Sequence, residues 1–234
     1  PKYEMITENL PCKVITYGLE HDAEYTATDI TYDELGHATF HVLHNGEDLG
    51  TCSLKVPGIH NVSNALASIA AGQLLDLSTE VIFDGLKDFG GTDRRFQYKG
   101  KIGDVTIIDD YAHHPTEIEA TLHAAKNYPH KRLVLAFQPH TYSRTKAFLD
   151  DFADVLSMAD VVVLADIYAA RETDTLGISS SDLAKEAAKL GTDTHYYPSF
   201  AEIEAFLKEN CKSGDLLITM GAGDVVKIGE DILK

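Results

Sequence analysis

From Phe96 onward the sequence alternates short continuous apolar runs with amphipathic stretches, and few architectures accept that pattern. Residues 105–108, 133–137, 161–165 and 216–220, with a weaker run at 194–197, read as strands apolar on both faces. Residues 116–127, 143–157, 180–190 and 200–210 lie between them with the spacing of helices that bury one side. Strands buried on both faces and joined by helices make a parallel sheet covered on two sides, so the expected class is α/β with a Rossmann-like, mainly parallel domain. Ligands of such sheets sit at the carboxyl ends of the strands. That rule selects 109–115, 138–144, 166–172 and 221–224, three of which are dense in His, Arg, Tyr, Asp and Glu.

The first part has a different texture. Up to about Leu54 it reads as short β segments at 13–18 and 25–32, then a hairpin over 38–54 turning at His44-Asn45-Gly46. A helix is expected at 61–75, with Asn61 placed to cap its first turn, and another at 79–89. Gly90-Gly91-Thr92 reads as a linker or hinge. The expected division is therefore 1–92, β-rich and then helical, and 93–234.

Composition narrows the possible functions. A chain of 234 residues that is 44% hydrophobic can bury one large core or two smaller ones. A net charge of −17 argues against a nucleic-acid partner, because counterion release needs clustered Lys and Arg. No apolar run approaches the roughly 20 residues of a membrane span, and the first residues lack a basic segment followed by an apolar one. Cys12, Cys52 and Cys211 are few, scattered and odd in number, as in a reducing compartment, so a cytoplasmic location without membrane insertion is expected. A start at Pro1 rather than Met, running straight into folded-looking sequence, reads as a piece of a longer chain.

Five segments carry chemistry. In DDYAHHP, the carboxylates Asp109 and Asp110, the phenol Tyr111 and the imidazoles His113 and His114 follow a strand, where they can accept ribose hydroxyls, hold a metal or orient a substrate. Capping of the next helix would explain only one of those acids. In FQPHTYSRT, His140 and Arg144 lie four apart, and the arginine fork suits a carboxylate or phosphate beside a helix start. Asn61 and Asn64 in GIHNVSNAL share a helix face and can pair with an adenine edge. Arg94 and Arg95 in GTDRRF form a cationic pair able to meet nucleotide phosphates. Gly221 to Asp224, GAGD, reads as a tight strand-to-helix turn.

Taken in order and with their intervals, GIHNVSNAL, GTDRRF, DDYAHHPTEI, FQPHTYSRT and MGAGDV resemble the back half of the Mur ligase family, in the branch that joins L-alanine to UDP-N-acetylmuramate. The resemblance spans nearly the whole chain. It implies that 1–92 is the tail of a central ATPase domain and 93–234 a C-terminal ligase domain. It further implies ATP and Mg2+ as cofactors in peptidoglycan synthesis, with the main phosphate and metal ligands ahead of Pro1. ATP would phosphorylate the substrate carboxylate, and the amine would attack the acyl phosphate. By the same resemblance Asn61 and Asn64 would contact adenine, Arg95 the phosphates and Asp109 or Asp110 the ribose, with Asp110 favoured. Tyr111, His113, His140 and Arg144 would face the muramoyl or alanine end, with His113 and Arg144 the catalytic candidates. Where some relatives carry an arginine directly after the histidine of FQPH, this sequence has Thr141, so either that arginine's role is dispensable or Arg144 covers it, and carboxylate binding rests on one arginine.

Three other readings compete: a ligase of the same family that attaches a murein tripeptide, a metal-dependent phosphoesterase built on Asp109, Asp110, His113, His114 and His140, and a non-catalytic binding module. No G-x-x-x-x-G-K-[ST] phosphate loop occurs in the sequence. The expected outcome for the isolated chain is no phosphate release from ATP above the buffer blank in a coupled assay.

Overall fold

The computed structural model describes residues 7–8, 10–19 and 23–234. The chain forms two compact units that meet in sequence between Gly90 and Gly91.

The first unit holds a four-stranded sheet of β1 (Tyr17–Gly18), β2 (Tyr25–Tyr32), β3 (His37–His44) and β4 (Glu47–Pro57), in that spatial order. The β1 pairing is parallel and the other two are antiparallel. Alternation turns Tyr25, Ala27, Ala38, Phe40, Val42, Cys52 and Leu54 inward, where helix α1 (Ile59–Leu74) covers them with Val62, Ala65, Leu66, Ile69 and Ala70. Those helical positions recur at steps of three and four, the stripe that faces a core. Helix α2 (Thr79–Asp88) follows, its N-terminus capped by Ser78. Asn45 and Gly46 both take positive φ, 51° and 85°, as a two-residue hairpin turn requires.

Two details differ from the sequence-based expectation. Only Tyr17 and Gly18 of the expected 13–18 segment pair as a strand. Helix α1 begins at Ile59 with Gly58 as its N-cap, so Asn61 does not cap it. The Asn61 amide instead donates to the Pro57 carbonyl at 2.8 Å and accepts from Asn64 Nδ2 at 3.1 Å. Gly58 at φ 97° makes the turn that a side-chain cap would otherwise have had to stabilise.

The second unit is a six-stranded sheet. Its strands are β5 (Gln97–Ile102), β6 (Val105–Asp110), β7 (Arg132–Phe137), β8 (Val161–Leu164), β9 (Asp193–Tyr196) and β10 (Asp215–Met220), ordered β5-β6-β10-β7-β8-β9. All neighbours are parallel except β5, which runs antiparallel to β6. The mainly parallel α/β architecture is therefore present as expected. Helices α3 (Pro115–Lys126), α5 (Leu149–Leu156) and α6 (Ser180–Lys189) cover one face over Ile108, Leu135 and Ile218, while α7 (Phe200–Asn210) and α8 (Val226–Ile232) cover the other over Ile107, Val134 and Leu217. Successive strand residues thus feed opposite cores, which is why these strands read as unbroken apolar runs.

The helix expected over 143–157 is two, α4 (Tyr142–Ala147) and α5, separated at Phe148 with φ −118° and ψ 29°. Strand β5 was not expected, whereas helix α8 follows the strand-to-helix turn read at 221–224. The sequence of β5, QYKGKI, is largely polar, carries Gly100 at an irregularity in the ladder and pairs on one side only. Gly100 has φ 152°, and a Cβ there would come within 3.0 Å of Leu233.

Leu135 is fully buried at the centre of the sheet. Leu135→Ala is expected to cost about 2–5 kcal/mol of stability, read by urea denaturation as a lower midpoint with an unchanged slope.

Candidate functional site

Register places the site. Asp110 of β6 pairs with Met220 of β10, which pairs with Phe137 of β7, which pairs with Leu164 of β8, so four carboxyl ends finish level. The segments emerging there are those that the strand-end rule selected.

The 94–96 turn is fixed from beneath. Arg94 Nε donates to Asp109 Oδ2 at 2.9 Å, Nη1 to the Gly223 carbonyl at 3.1 Å and Nη2 to the Gly221 carbonyl at 2.7 Å. Asp109 has no exposed surface, and its other oxygen accepts from Thr219 Oγ1 at 2.7 Å. Arg94 and Phe96 both have positive φ, 59° and 45°, a strain of about 1–3 kcal/mol per residue that persists only where surroundings over-determine it. The restraints include Phe96 N donating to Asp110 Oδ2 at 2.8 Å and Tyr111 N donating to the Arg94 carbonyl at 2.6 Å. Arg95, between them, is exposed, and its guanidinium carbon lies 5.8 Å from the Tyr111 ring centroid.

Asp110 is also buried, and its Oδ1 accepts from Ala112 N at 2.7 Å. Burial raises its pKa against the lowering effects of the Ala112 and Phe96 N–H groups and of Arg95. Neither aspartate caps α3. That helix starts with Pro115 at its first position, and His114 Nδ1 accepts from Thr116 N.

An aromatic row crosses the strand ends. Tyr111 and His113 meet edge to face at 5.5 Å, His113 and His140 at 5.4 Å, and His140 stacks on Tyr168 at 5.5 Å. Glu117 faces His113: burial acts to raise its pKa, but the His113 N–H bond and the charges of His113 and Arg95 outweigh it, and the net shift is downward. His140 moves the other way for an imidazole. Its pKa is lowered first by burial and then by His113 and Arg144, with Glu172 opposing. Arg144 Nη1 lies 3.3 Å from His140 Nδ1, a pairing that suits a neutral ring with its lone pair toward the guanidinium. On the other side, Glu172 accepts from Ser143 N at 2.9 Å and from Ser143 Oγ at 2.5 Å, tying the loop after β8 to the first turn of α4. Those Ser143 hydrogen bonds lower the Glu172 pKa.

The structure therefore gathers Arg95, Asp109, Asp110, Tyr111, His113, His140 and Arg144 at one end of one sheet. Asn61 and Asn64 belong to the other unit and are joined to each other. Sequence reasoning passed over Arg94 in favour of Arg95, and named neither Tyr168 nor Glu172, although both lie in a segment the strand-end rule had selected. Thr141, at φ 67°, is the N-cap of α4 and accepts from Arg144 N at 3.4 Å. The metal reading fits poorly, because Asp109 is engaged by Arg94 and Thr219 and His114 serves as a helix cap. Among the described residues no three His, Cys, Asp or Glu side chains converge as metal ligands.

Residues 94–223, more than half of the chain, match the Mur ligase, glutamate ligase domain. The chain belongs to the Mur ligase family. Residues 2–72 match the Mur ligase middle domain. A UDP-N-acetylmuramate–L-alanine ligase of Agathobacter rectalis is 64% identical over 233 residues, covering 100% of this chain and 51% of that protein. The solved UDP-N-acetylmuramate-alanine ligase of Thermotoga maritima is 28% identical with a TM-score of 0.79, over 94% of this chain and 47% of that one. The murein peptide ligase of Psychrobacter arcticus is 25% identical with a TM-score of 0.64, over 93% and 45%. This Mur ligase chain thus spans about half the length of the curated relatives it matches. It also contains no helix, among the described residues, long and apolar enough to cross a membrane.

The lowered His140 pKa has a definite sign in stability. Between the folded value and the ordinary 6.5 the unfolded chain binds more protons, so the folded state loses stability as pH falls through that window. Urea midpoints taken between about pH 7.5 and 5.5 are expected to fall in the wild type and to fall less in His140→Gln.

Proposed function

We propose that this chain is the back half of a cytoplasmic ATP-dependent ligase that joins L-alanine to UDP-N-acetylmuramate in peptidoglycan synthesis. The observation that carries the reading is the convergence of Arg95, Tyr111, His113, His140 and Arg144 on level strand ends, in a chain 64% identical to a protein named for that reaction.

The chemistry asks for positive groups and little else. A carboxylate attacks the γ-phosphorus of ATP, ADP departs, and the amine of alanine attacks the acyl phosphate. The resulting tetrahedral intermediate expels phosphate. Charge builds on phosphoryl and carbonyl oxygens while two substrates are held together, so positioning and electrostatic stabilisation dominate. Arg95, exposed and without an ion-pair partner within 4.0 Å among the described residues, is assigned to the nucleotide phosphates. Asp110 is assigned to the ribose in preference to Asp109, which has no exposed surface and is paired with Arg94; the Asp110 oxygens accept one backbone N–H each and keep a further lone pair. Asn61 and Asn64 are assigned to adenine.

Arg144 offers its fork to the carboxylate of alanine, with His140 held neutral beside it. His113 and Tyr111 orient the muramoyl end. His113 donates Nδ1–H to the Tyr111 carbonyl at 3.0 Å, which leaves Nε2 as the ring's basic nitrogen and makes His113 the group able to take the proton that the alanine amine sheds, besides its positioning role. ATP and Mg2+ are the expected cofactors of the whole ligase, with the metal held outside the residues described here.

The test is phosphate release by the full-length ligase given ATP, Mg2+ and UDP-N-acetylmuramate with either L-alanine or a murein tripeptide. Release that depends on L-alanine is expected; release that depends on the tripeptide assigns the chain to the sibling ligase instead. Arg144→Lys is expected to raise KM for alanine by about tenfold or more, because an ammonium cannot make two parallel hydrogen bonds to a carboxylate.

A further inference from the structure

Arg94 touches nothing that the proposed reaction would bring to the site. Its guanidinium contacts point down, into the Asp109 carboxylate and the carbonyls of Gly221 and Gly223, and its face lies 4.9 Å from the Tyr111 centroid. These contacts join the start of the unit to the end of β6 and to the turn after β10. The residue that faces outward is its neighbour Arg95, flanked on both sides by backbone in the left-handed region. A strained turn holds its shape only while its anchors hold.

Resting on the reading that Arg95 meets the nucleotide phosphates, we propose that Arg94 is a positioning residue for Arg95. By forking across Asp109, Gly221 and Gly223 it fixes the strained 94–96 turn that aims the Arg95 guanidinium. Thr219 is part of the same device, since its hydroxyl orients Asp109 from behind. The glycine turn is equally committed, because a Cβ on Gly221 would come within 2.6 Å of the Gln138 carbonyl oxygen. Lysine cannot replace Arg94 in this role. One ammonium on a flexible stem cannot span a carboxylate and two carbonyls set by different segments.

The test is a double-mutant cycle in the full-length ligase, with Arg94→Lys, Arg95→Lys and the pair, read as kcat and KM for ATP and for alanine and as ADP affinity by calorimetry. Each single change is expected to lower kcat/KM for ATP by about tenfold to a hundredfold, and to leave KM for alanine within about twofold. The double variant is expected to be no worse than Arg95→Lys by more than about twofold, because Arg94 acts through a group already lost. Losses that multiply, or an Arg94→Lys enzyme with unchanged ATP kinetics, overturn the proposal. Should Arg94→Lys lack a cooperative thermal transition, Thr219→Val takes its place in the same cycle with the same criterion. A wild type without alanine-dependent turnover sinks the functional reading alone, since ADP affinities across the four proteins still decide whether Arg94 acts through Arg95.

Discussion

A charge with no access to water is the constraint around which the second unit is arranged. Asp109 is the last residue but one of β6, an interior strand of the sheet, and has no exposed surface, so an isolated carboxylate there would be untenable. Arg94 makes it tolerable, and Thr219 completes the set of hydrogen bonds. Breaking such a pair from one side typically costs more than never having had it, because the surviving charge is stranded. The same guanidinium occupies two carbonyls of the glycine turn. One side chain therefore sets the shape of the floor from which the rest of the site rises.

Above that floor the sheet does the arranging. Parallel strands that finish in register deliver their connecting segments to one edge, so residues far apart in sequence become neighbours without any long loop. His113 and His140 follow different strands, β6 and β7, yet their rings lie 5.4 Å apart. The cations at this edge are local exceptions in a chain with net charge −17, and an anionic ligand would meet positive groups only where the fold has concentrated them. Held neutral, His140 accepts from Arg144 instead of repelling it.

The legible parts of the fold were those with a strong physical signature. The strands 105–108, 133–137 and 216–220 were readable because burial on both faces admits only apolar residues, and the hairpin because Asn45-Gly46 supplies two left-handed residues. Strand β5 was invisible, since an edge strand with polar side chains and a glycine at its irregularity carries neither signal. The cap expected from Asn61 is not formed because Gly58, by adopting φ 97°, moves the helix start back and leaves the Asn61 amide to donate to the Pro57 carbonyl. For the site, residue types at strand ends selected segments that the sheet brings together at one edge. The division of labour between Arg94 and Arg95 was not readable, since adjacent identical residues differ only in which way the turn faces them.

The position of β10 has a consequence for how the molecule comes into being. Although it is the last strand of the unit in sequence, it lies between β6 and β7, about 80 to 110 residues away along the chain. Until it inserts, β6 and β7 have no shared neighbour and Arg94 lacks two of its three acceptors. A ribosome must finish nearly the whole unit before the β5-β6 and β7-β8-β9 halves of the sheet can be joined, and the exposed flanks of β6 and β7 are where a chaperone would find its substrate.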